Sequence, residues 1–447
     1  MFSMSSLWTF LLLTVVSVIA VRLDGTSISG QMEKTASVAS IRVRYGVIVD
    51  CGSTGTRFKV YRWNLPHDDA LPLISQVKDL AGQPASFRSQ PGLADAATQA
   101  GFRKYITDGL VFAADLIPER HHKHTHVYMY ATAGMRILPV KESLGVWKRV
   151  HEILESKDNK FLFTSRKWAR TITGEEEALF DWISTAYIHD YLAVGAKGTP
   201  ITGALDMGGA SFQIAYQTLP APLPNFTELK MALNEYNLYT NSYLGWGKNE
   251  AKKQHFYRIA AKKGPGVTHF SDPCFWHNSH QEVQIQNSTY HVYGTGKYNE
   301  CKLYLSELME KNSYCAVKPC AIRGVYQPKV PADIDLYAMD NFYRAAETMG
   351  CDGLNPISCL DEKAAPICNS LSWEEAKKWQ ASNGTHPVDE ATAREACFSA
   401  AYVSTLLVEG LNLSPDRKIH FLSKLASTDM DWTMGAMVYN SVEASHT

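Results

Sequence analysis

Apolar residues in this chain gather into short runs that stop abruptly at an aspartate, and the pattern occurs twice. Tyr45-Gly-Val-Ile-Val leads into Asp50-Cys-Gly52-Ser53-Thr54-Gly55-Thr56-Arg57, after which Phe58-Lys-Val-Tyr-Arg-Trp63 follows. Gly203-Ala-Leu leads into Asp206-Met-Gly208-Gly209-Ala210-Ser211, followed by Phe212-Gln213-Ile-Ala-Tyr216. Each stretch predicts a buried strand ending in Asp-x-Gly, a tight turn of small residues and a second strand. The two aspartates stand 156 residues apart, a spacing that suits one copy in each of two related domains.

Every part of the repeated pattern has a physical use. Glycine lets backbone N–H groups approach a phosphate closely, and successive N–H groups in a turn make an anion nest. Ser53, Thr54 and Thr56 add hydroxyl donors. An aspartate at the strand end can hold a divalent cation, directly or through water, opposite that phosphate. A lone Asp-x-Gly hairpin is an ordinary tight turn, because Gly and Asp dominate turns. Two copies, each behind an apolar strand and each followed by Ser or Thr, point instead to a shared grip on a polyphosphate and its metal. The pattern resembles the actin-like and sugar-kinase-like phosphate-binding fold.

A third apolar run, Leu7 to Val21, is 15 residues long and is followed at once by Arg22 and Asp24. It is short for a membrane span, which needs about 20 apolar residues. It suits the core of a cleaved signal peptide, with Val18 and Ala20 at the −3 and −1 positions. The alternative is an uncleaved single anchor, since Met1–Ser6 carries no basic side chain. Of the 447 residues 45% are hydrophobic and 20% charged, which excludes disorder for most of the chain. The length suggests about three domains at roughly 150 residues each. A net charge of −1 removes any bulk electrostatic case for a nucleic-acid partner.

The sequons at Asn225, Asn287, Asn383 and Asn412 agree with export, where disulfides are permitted. Eight of the nine cysteines lie between residues 274 and 397, and none shows Cys-x-x-Cys spacing, so a zinc ribbon is a poor reading. The eight read as a disulfide-stapled domain whose pairing the spacing leaves open. Cys51, between Asp50 and Gly52, is expected to be a small buried filler. His121-His-Lys-His124-Thr-His126 has no carboxylate or cysteine at ligand spacing and is expected to be a solvated approach to a strand.

Two further motifs lie between the hairpins. Tyr128-Met-Tyr-Ala131-Thr132-Ala133-Gly134-Met135-Arg136 predicts a strand that delivers Thr132 to a glycine turn, with Arg136 opening a helix. Ile172-Thr173-Gly174-Glu175-Glu176-Glu177-Ala178 places three glutamates at a helix start, where the helix dipole favours negative charge. Taken alone, that is an ordinary solvated first turn. In order, the Asp50–Arg57, Ala131–Arg136, Gly174–Ala178 and Asp206–Gln213 stretches resemble the first four conserved regions of the nucleoside triphosphate diphosphohydrolase (apyrase) family. Asn237-Leu-Tyr-Thr-Asn-Ser-Tyr-Leu-Gly-Trp-Gly-Lys-Asn-Glu-Ala251 resembles the fifth, and the resemblance runs from about Tyr45 to Met437. Some stretches are most similar to the Golgi and lysosomal uridine diphosphatase branch.

The resemblance implies an α/β fold of two actin-like (ribonuclease-H-like) lobes with the active site in the cleft between them. Lobe I would take 41–173 plus 425–447, with a last helix around Asp431–Met437 returning to it, and lobe II would take 174–424. The length prior of three domains drops to two plus a leader. The implied reaction is release of phosphate from nucleoside tri- or diphosphates (ATP, ADP, UDP, GDP class) by metal-assisted attack of water on the terminal phosphorus. Matched by motif position, Glu177 would be the general base, with Ser211 and Gln213 orienting the water. Asp50 and Asp206 would hold Ca²⁺ or Mg²⁺ through water. Ser53, Thr54, Gly55, Thr56, Arg57, Thr132, Ala133, Arg136, Gly208, Gly209 and Ala210 would bind phosphate, and Tyr343 would face the base. The family pairs Cys274 with Cys301, Cys315 with Cys320 and Cys368 with Cys397, which leaves Cys351 with Cys359.

Three departures stand out: Phe212 for a usual Thr, Ala178 for a usual Gly, and Gly245-Trp246 for a usual Cys-Tyr. None removes an acid, base or metal-binding group. An actin-like sugar kinase would share the hairpins but would not need Gly174–Ala178 or Ala131–Arg136. A non-catalytic nucleotide- or carbohydrate-binding relative would not need Glu177, Ser211 and Gln213 together. The expected location is the secretory lumen or the exterior, or else a Golgi membrane with the catalytic domain lumenal and the leader uncleaved.

Overall fold

The computed structural model describes residues 43–65, 71–192, 202–218, 225–231, 233–264, 266–285, 288–383, 389–425 and 428–443. The leader at 1–21, the sequon asparagine Asn287 and the side chain of Asn383 lie outside the described residues. The strands are β1 (Val43–Cys51), β2 (Thr56–Asn64), β3 (Ser75–Gln76), β4 (Ser86–Ser89), β5 (His126–Ala131) and β6 (Ala169–Thr171) in one sheet. A second sheet begins with β7 (Thr202–Met207), β8 (Ser211–Gln217), β9 (Phe226–Met231) and β10 (Asn234–Leu244). A small three-stranded sheet, β11 (His269–Asp272), β12 (His280–Ile285) and β13 (Ser288–Gly294), interrupts it in sequence. It is completed by β14 (Asp335–Asp340), β15 (Gly353–Pro356) and β16 (Lys418–Phe421).

The first sheet runs β3-β2-β1-β5-β6, with β4 also on β2, and the second runs β15-β16-β14-β7-β8-β10-β9. Each contains the same unit: an antiparallel hairpin whose first strand pairs in parallel with a later one, β1 with β5 and β7 with β14. A strand with a parallel neighbour is covered on both faces and reads as a continuous apolar run. In β1, Val47 and Val49 enter one core while Ile48 enters another, and all three are fully buried.

Helices Phe102–Leu116 and Val140–Leu154 cover one face of the first sheet. Helices Gly174–Ile188 and Trp432–Glu443 lie between the two sheets. Their shared core joins Ile48, Tyr61 and Tyr130 of the first sheet to Ala215 and Leu238 of the second through Phe180, Trp182, Trp432 and Met437. The far face of the second sheet packs on helices Lys248–Lys263, Asn341–Met349 and Ala396–Thr405. The architecture is therefore α/β with two sheet-centred lobes. The last segment is tied to the first sheet by polar bonds as well. Lys59 pairs with Asp431 and lies 3.5 Å from Asp429, and the Tyr61 and Thr433 hydroxyls are 2.7 Å apart.

The start of the Gly174–Ile188 helix separates the three glutamates. The Thr173 hydroxyl accepts from the Glu176 N–H (3.1 Å), and the Glu176 carboxylate accepts from the Thr173 N–H (2.8 Å), which closes a capping box. Glu175 is exposed, Glu176 is spent on the cap and on Arg170, and Glu177 turns inward and is buried. Disulfides join Cys274–Cys301, Cys315–Cys320, Cys351–Cys359 and Cys368–Cys397. Cys51 is a buried free thiol. Four such bonds fit an oxidising, secretory environment. Among the described residues no helix is long and apolar enough to cross a membrane.

The histidine cluster differs from expectation. Glu119–His124 forms a 3-10 turn that buries His121 and His122. His122 Nε2 donates to the carbonyls of Ile117 (2.8 Å) and Ala114 (3.2 Å), so the ring closes the end of the preceding helix instead of meeting solvent. Spacing gave no sign of this, because the acceptors belong to a helix end whose carbonyls need partners.

The two central helices meet where Gly435 rests on the Phe180 carbonyl, with no room for a Cβ. In an open helix Gly435→Ala would add about 1 kcal/mol of helix propensity. Here overpacking is expected to outweigh that and destabilise the chain by about 1–3 kcal/mol. Denaturant unfolding measures it.

Candidate active site

The two hairpins are built to one plan. Asp50 of β1 stands opposite Arg57 of β2, and Asp206 of β7 stands opposite Gln213 of β8. In the first turn the N–H groups of Ser53, Thr54 and Gly55 find no acceptor among the described residues. The same holds for Gly209 and Ala210 in the second. Unpaired N–H groups in tight turns form an anion nest. The turns face each other closely: a Cβ on Gly209 would fall 3.0 Å from Ser53 Oγ and 2.9 Å from Asn249 Nδ2. Gly134 is as confined, since its Cβ would lie 2.8 Å from Ser53 Cα.

The fifth motif holds the second turn in place. The Lys248 N–H donates to Gly208 O (3.0 Å) and the Asn249 N–H to Gly209 O (2.9 Å). These donors are the orphan N–H groups of the Lys248–Lys263 helix. By taking up the turn's carbonyls they leave its own N–H groups facing the gap. The hairpins open on a cavity of about 500 Å³, lined by Ser53 and Thr54 on one side, Gly209 and Ala210 on the other, and Asn249 and Lys252 behind.

Glu177 lies at the centre of a buried polar network. Arg136 ion-pairs with its carboxylate, and Gln213 Nε2 donates to the same oxygen at 3.0 Å. Gln213 Nε2 is also 2.8 Å from the hydroxyls of both Ser211 and Ser242, and Arg136 Nη1 donates to Ser242 Oγ at 3.2 Å. Two side chains far apart in sequence thus meet on one carboxylate, backed by Ser211 and Ser242. Burial pushes the Glu177 carboxyl up to about 7; Arg136 opposes the rise and the charge of Asp50 adds to it.

Burial likewise raises Asp50 to about 6, against the pull of Arg57, whose Nη1 lies 3.3 Å from its carboxylate. Asp206 is pushed well up by burial and by the charges of Asp340, Glu177, Asp431 and Asp50. It makes no hydrogen bond or ion pair among the described residues. Buried carboxylates that repel one another and lack partners are the donor set a hard, oxygen-seeking cation requires. The residues therefore fit a divalent cation between the hairpins. Another cluster, His255, Asp272 and Cys274, is closed: Cys274 is in a disulfide and Asp272 accepts from His255 (2.9 Å) and from the Cys274 N–H (2.8 Å).

The remaining expected residues divide. Thr132 is buried, its N–H donating to Cys51 O (3.3 Å), and with Ala133 it continues β5 into the same turn region. Thr56 does not share the nest surface: it is fully buried and its hydroxyl accepts from Tyr105 Oη (2.7 Å), because the alternation of β2 points it inward. Tyr343 is half-buried, and its hydroxyl donates to Glu347 at 2.6 Å, one turn along its own helix.

Several side chains escaped sequence reasoning. Ser242 is one. Arg88 of β4 stands opposite Arg57 of β2, like charges on an antiparallel strand pair, an arrangement that destabilises unless an anion joins it. Arg344 bears on the same spot and, together with Arg57, depresses the Arg88 guanidinium, for which burial is the larger cause. Asp181 is fully buried one turn beyond Glu177. Its signal was present in the sequence, a single acid inside Ala178-Leu-Phe-Asp-Trp-Ile183.

Residues 37–446 match the model of the GDA1/CD39 (nucleoside phosphatase) family. Ectonucleoside triphosphate diphosphohydrolase 1 of Mus musculus is 27% identical over 435 residues, covering 89% of this chain and 80% of that protein. Nucleoside-diphosphatase mig-23 of Caenorhabditis elegans is 28% identical over 429 residues, covering 89% and 77%. Golgi apyrase of Schizosaccharomyces pombe is 27% identical over 440 residues, covering 88% and 75%. Among solved structures, nucleoside triphosphate hydrolases from Neospora caninum superpose with a TM-score of 0.64 at 12% identity, covering 94% of this chain and 96% of that one. That likeness shows a shared fold.

The Glu177 carboxyl has a pH consequence in the metal-free chain. Its folded value, about 7, exceeds the ordinary 4.5, so the folded state holds the proton more tightly than the unfolded chain. Its contribution is full below pH 4.5 and is lost as pH rises toward 7, at a cost of about 3 kcal/mol. Unfolding in EDTA across that range is expected to show stability falling with pH, and Glu177→Gln is expected to flatten the slope.

Proposed function

We propose how this chain, which belongs to the GDA1/CD39 (nucleoside phosphatase) family and hydrolyses nucleoside phosphates, carries out that reaction. Glu177 is the general base. A carboxyl near 7 is ionised enough at neutral pH to accept a proton and basic enough to take one from water. Ser211 and Gln213 hold the water against it, with Ser242 and Arg136 fixing the orientation of Gln213 and Glu177. The water oxygen forms a bond to the terminal phosphorus, the bond from that phosphorus to its bridging oxygen breaks, and the water proton passes to Glu177.

The rest of the cleft binds charge, which is most of what phosphoryl transfer asks of a protein. The N–H groups of Ser53, Thr54, Gly55, Gly209 and Ala210 receive the terminal phosphate, with Thr132, Ala133 and Gly208 shaping the surface. Arg57, Arg88 and Arg344 face the inner phosphates from β2, β4 and the Asn341–Met349 helix. The family works with divalent cations, and here Asp50 and Asp206 would hold Ca²⁺ or Mg²⁺. When bound, that ion supplies positive charge to the phosphate oxygens. Tyr343, beside Arg344, offers a ring face to the base.

The substrates are nucleoside tri- and diphosphates, in keeping with the triphosphate diphosphohydrolase and nucleoside-diphosphatase names of the relatives. The disulfides and the Golgi relative support a lumenal or extracellular site of action. The observation that carries this reading is the buried Glu177 carboxylate held jointly by Arg136 and Gln213, whose Nε2 is also 2.8 Å from Ser211 Oγ.

Glu177→Gln is expected to lower phosphate release from ATP, ADP and UDP by about 10² to 10⁴-fold while nucleotide affinity stays close to the parent's. EDTA is expected to abolish release in the parent, and added Ca²⁺ or Mg²⁺ to restore it. Turnover within tenfold of the parent in Glu177→Gln would remove Glu177 as the base.

A further inference from the structure

Asp181 is the least satisfied charged side chain in the described cleft. It is 1% exposed, and neither carboxylate oxygen has a hydrogen-bond partner. On the Gly174–Ile188 helix, which packs on the Trp432–Glu443 helix and on β7, β8 and β10, it lies four residues after Glu177, hence on the same face. The ionisable groups that act on it are all acids: Asp206 of β7 first, then Glu177 of the same helix, Asp431 and Asp340. The nearby cations are committed elsewhere. Arg136 pairs with Glu177, Lys59 with Asp431 and Asp429, and Arg57 with Asp50.

An unpaired carboxylate in such a place is expensive, because desolvation takes several kcal/mol per ion and nothing offsets it. Native structures rarely leave a buried polar group unanswered, and each exception calls for a cause. Its neighbours Leu179, Phe180, Trp182 and Ile183 are apolar, so an apolar residue would sit here at lower cost. Asp206 has the same unmet need from the opposite side. Gln213 Oε1, in the same network, is also buried without a partner.

We propose that Asp181 is a further carboxylate of the cation centre and shares the divalent ion with Asp206. One ion answers both unpartnered carboxylates at once. Among the described residues no three carboxylates bring their oxygens within 4.8 Å of one another, so the ion takes these acids together with water. Ca²⁺ and Mg²⁺ both keep water ligands readily. A second buried acid adds negative charge to the site and so raises its affinity for the ion beyond what Asp50 and Asp206 provide. This inference rests on the assignment of Asp206 to the cation.

The test is calorimetric titration of the metal-stripped chain with Ca²⁺ and Mg²⁺, alone and with a non-hydrolysable nucleoside triphosphate analogue, together with thermal melting in EDTA. Asp181→Asn keeps shape and removes charge. It is expected to weaken cation affinity by about 10- to 100-fold. It is also expected to raise the melting temperature in EDTA, because an unpaired buried charge is gone; that rise reports an intact fold. Asp206→Asn serves as the reference and is expected to weaken affinity at least as much. If Asp206→Asn weakens binding while Asp181→Asn stays within about twofold of the parent, Asp181 is a neutral buried acid and the proposal fails. If neither variant changes affinity, the ion is held elsewhere, and the assignment of Asp206 falls with it.

Discussion

Asp50, Glu177, Asp181 and Asp206 crowd one buried cleft, and among the described residues only Asp50 and Glu177 have a guanidinium against them. Bringing these charges out of water opposes folding, so the rest of the molecule must hold them together. The two central helices and the two sheets supply that force through an apolar core spanning both lobes. The hairpins can then face each other with their N–H groups unpaired, and we propose that the concentrated negative charge provides affinity for a cation. On the proposed reading, a polyphosphate would meet that cation between the two turns.

The order of elements explains why the site needs two lobes. Each hairpin supplies one aspartate and one turn of unpaired N–H groups, and neither supplies the proposed base. Glu177 enters from the helix between the sheets, where its carboxylate reaches Arg136 of the first lobe and Gln213 of the second. The Lys248–Lys263 helix start then secures the second turn through Gly208 and Gly209. The proposed binding and proton transfer therefore rest on contacts made between the two lobes.

What was legible in the sequence follows from how local each feature is. Both hairpins could be read because an apolar strand, Asp-x-Gly and a second strand are written in contiguous residues, and their strands are where expected. The separate fates of Glu175, Glu176 and Glu177 follow from the capping box at Thr173, although the run of three acids alone reads as a solvated turn. Ser242, Arg88 and Arg344 could not be found this way, since each acts on residues distant in the chain. The inward turn of Thr56 was a matter of strand alternation that its hydroxyl disguised. The burial of His122 depended on a helix end five to eight residues earlier, whose carbonyls no motif announces.

These buried acids, we propose, serve to hold a divalent ion. Metal ligands must be deprotonated, so binding should expel the protons that burial has retained. Calorimetry of Ca²⁺ binding near pH 6, in buffers of different ionisation enthalpy, counts those protons. Proton release is expected near pH 6 and is expected to diminish as pH rises. Cation binding with no proton release at any pH would contradict it.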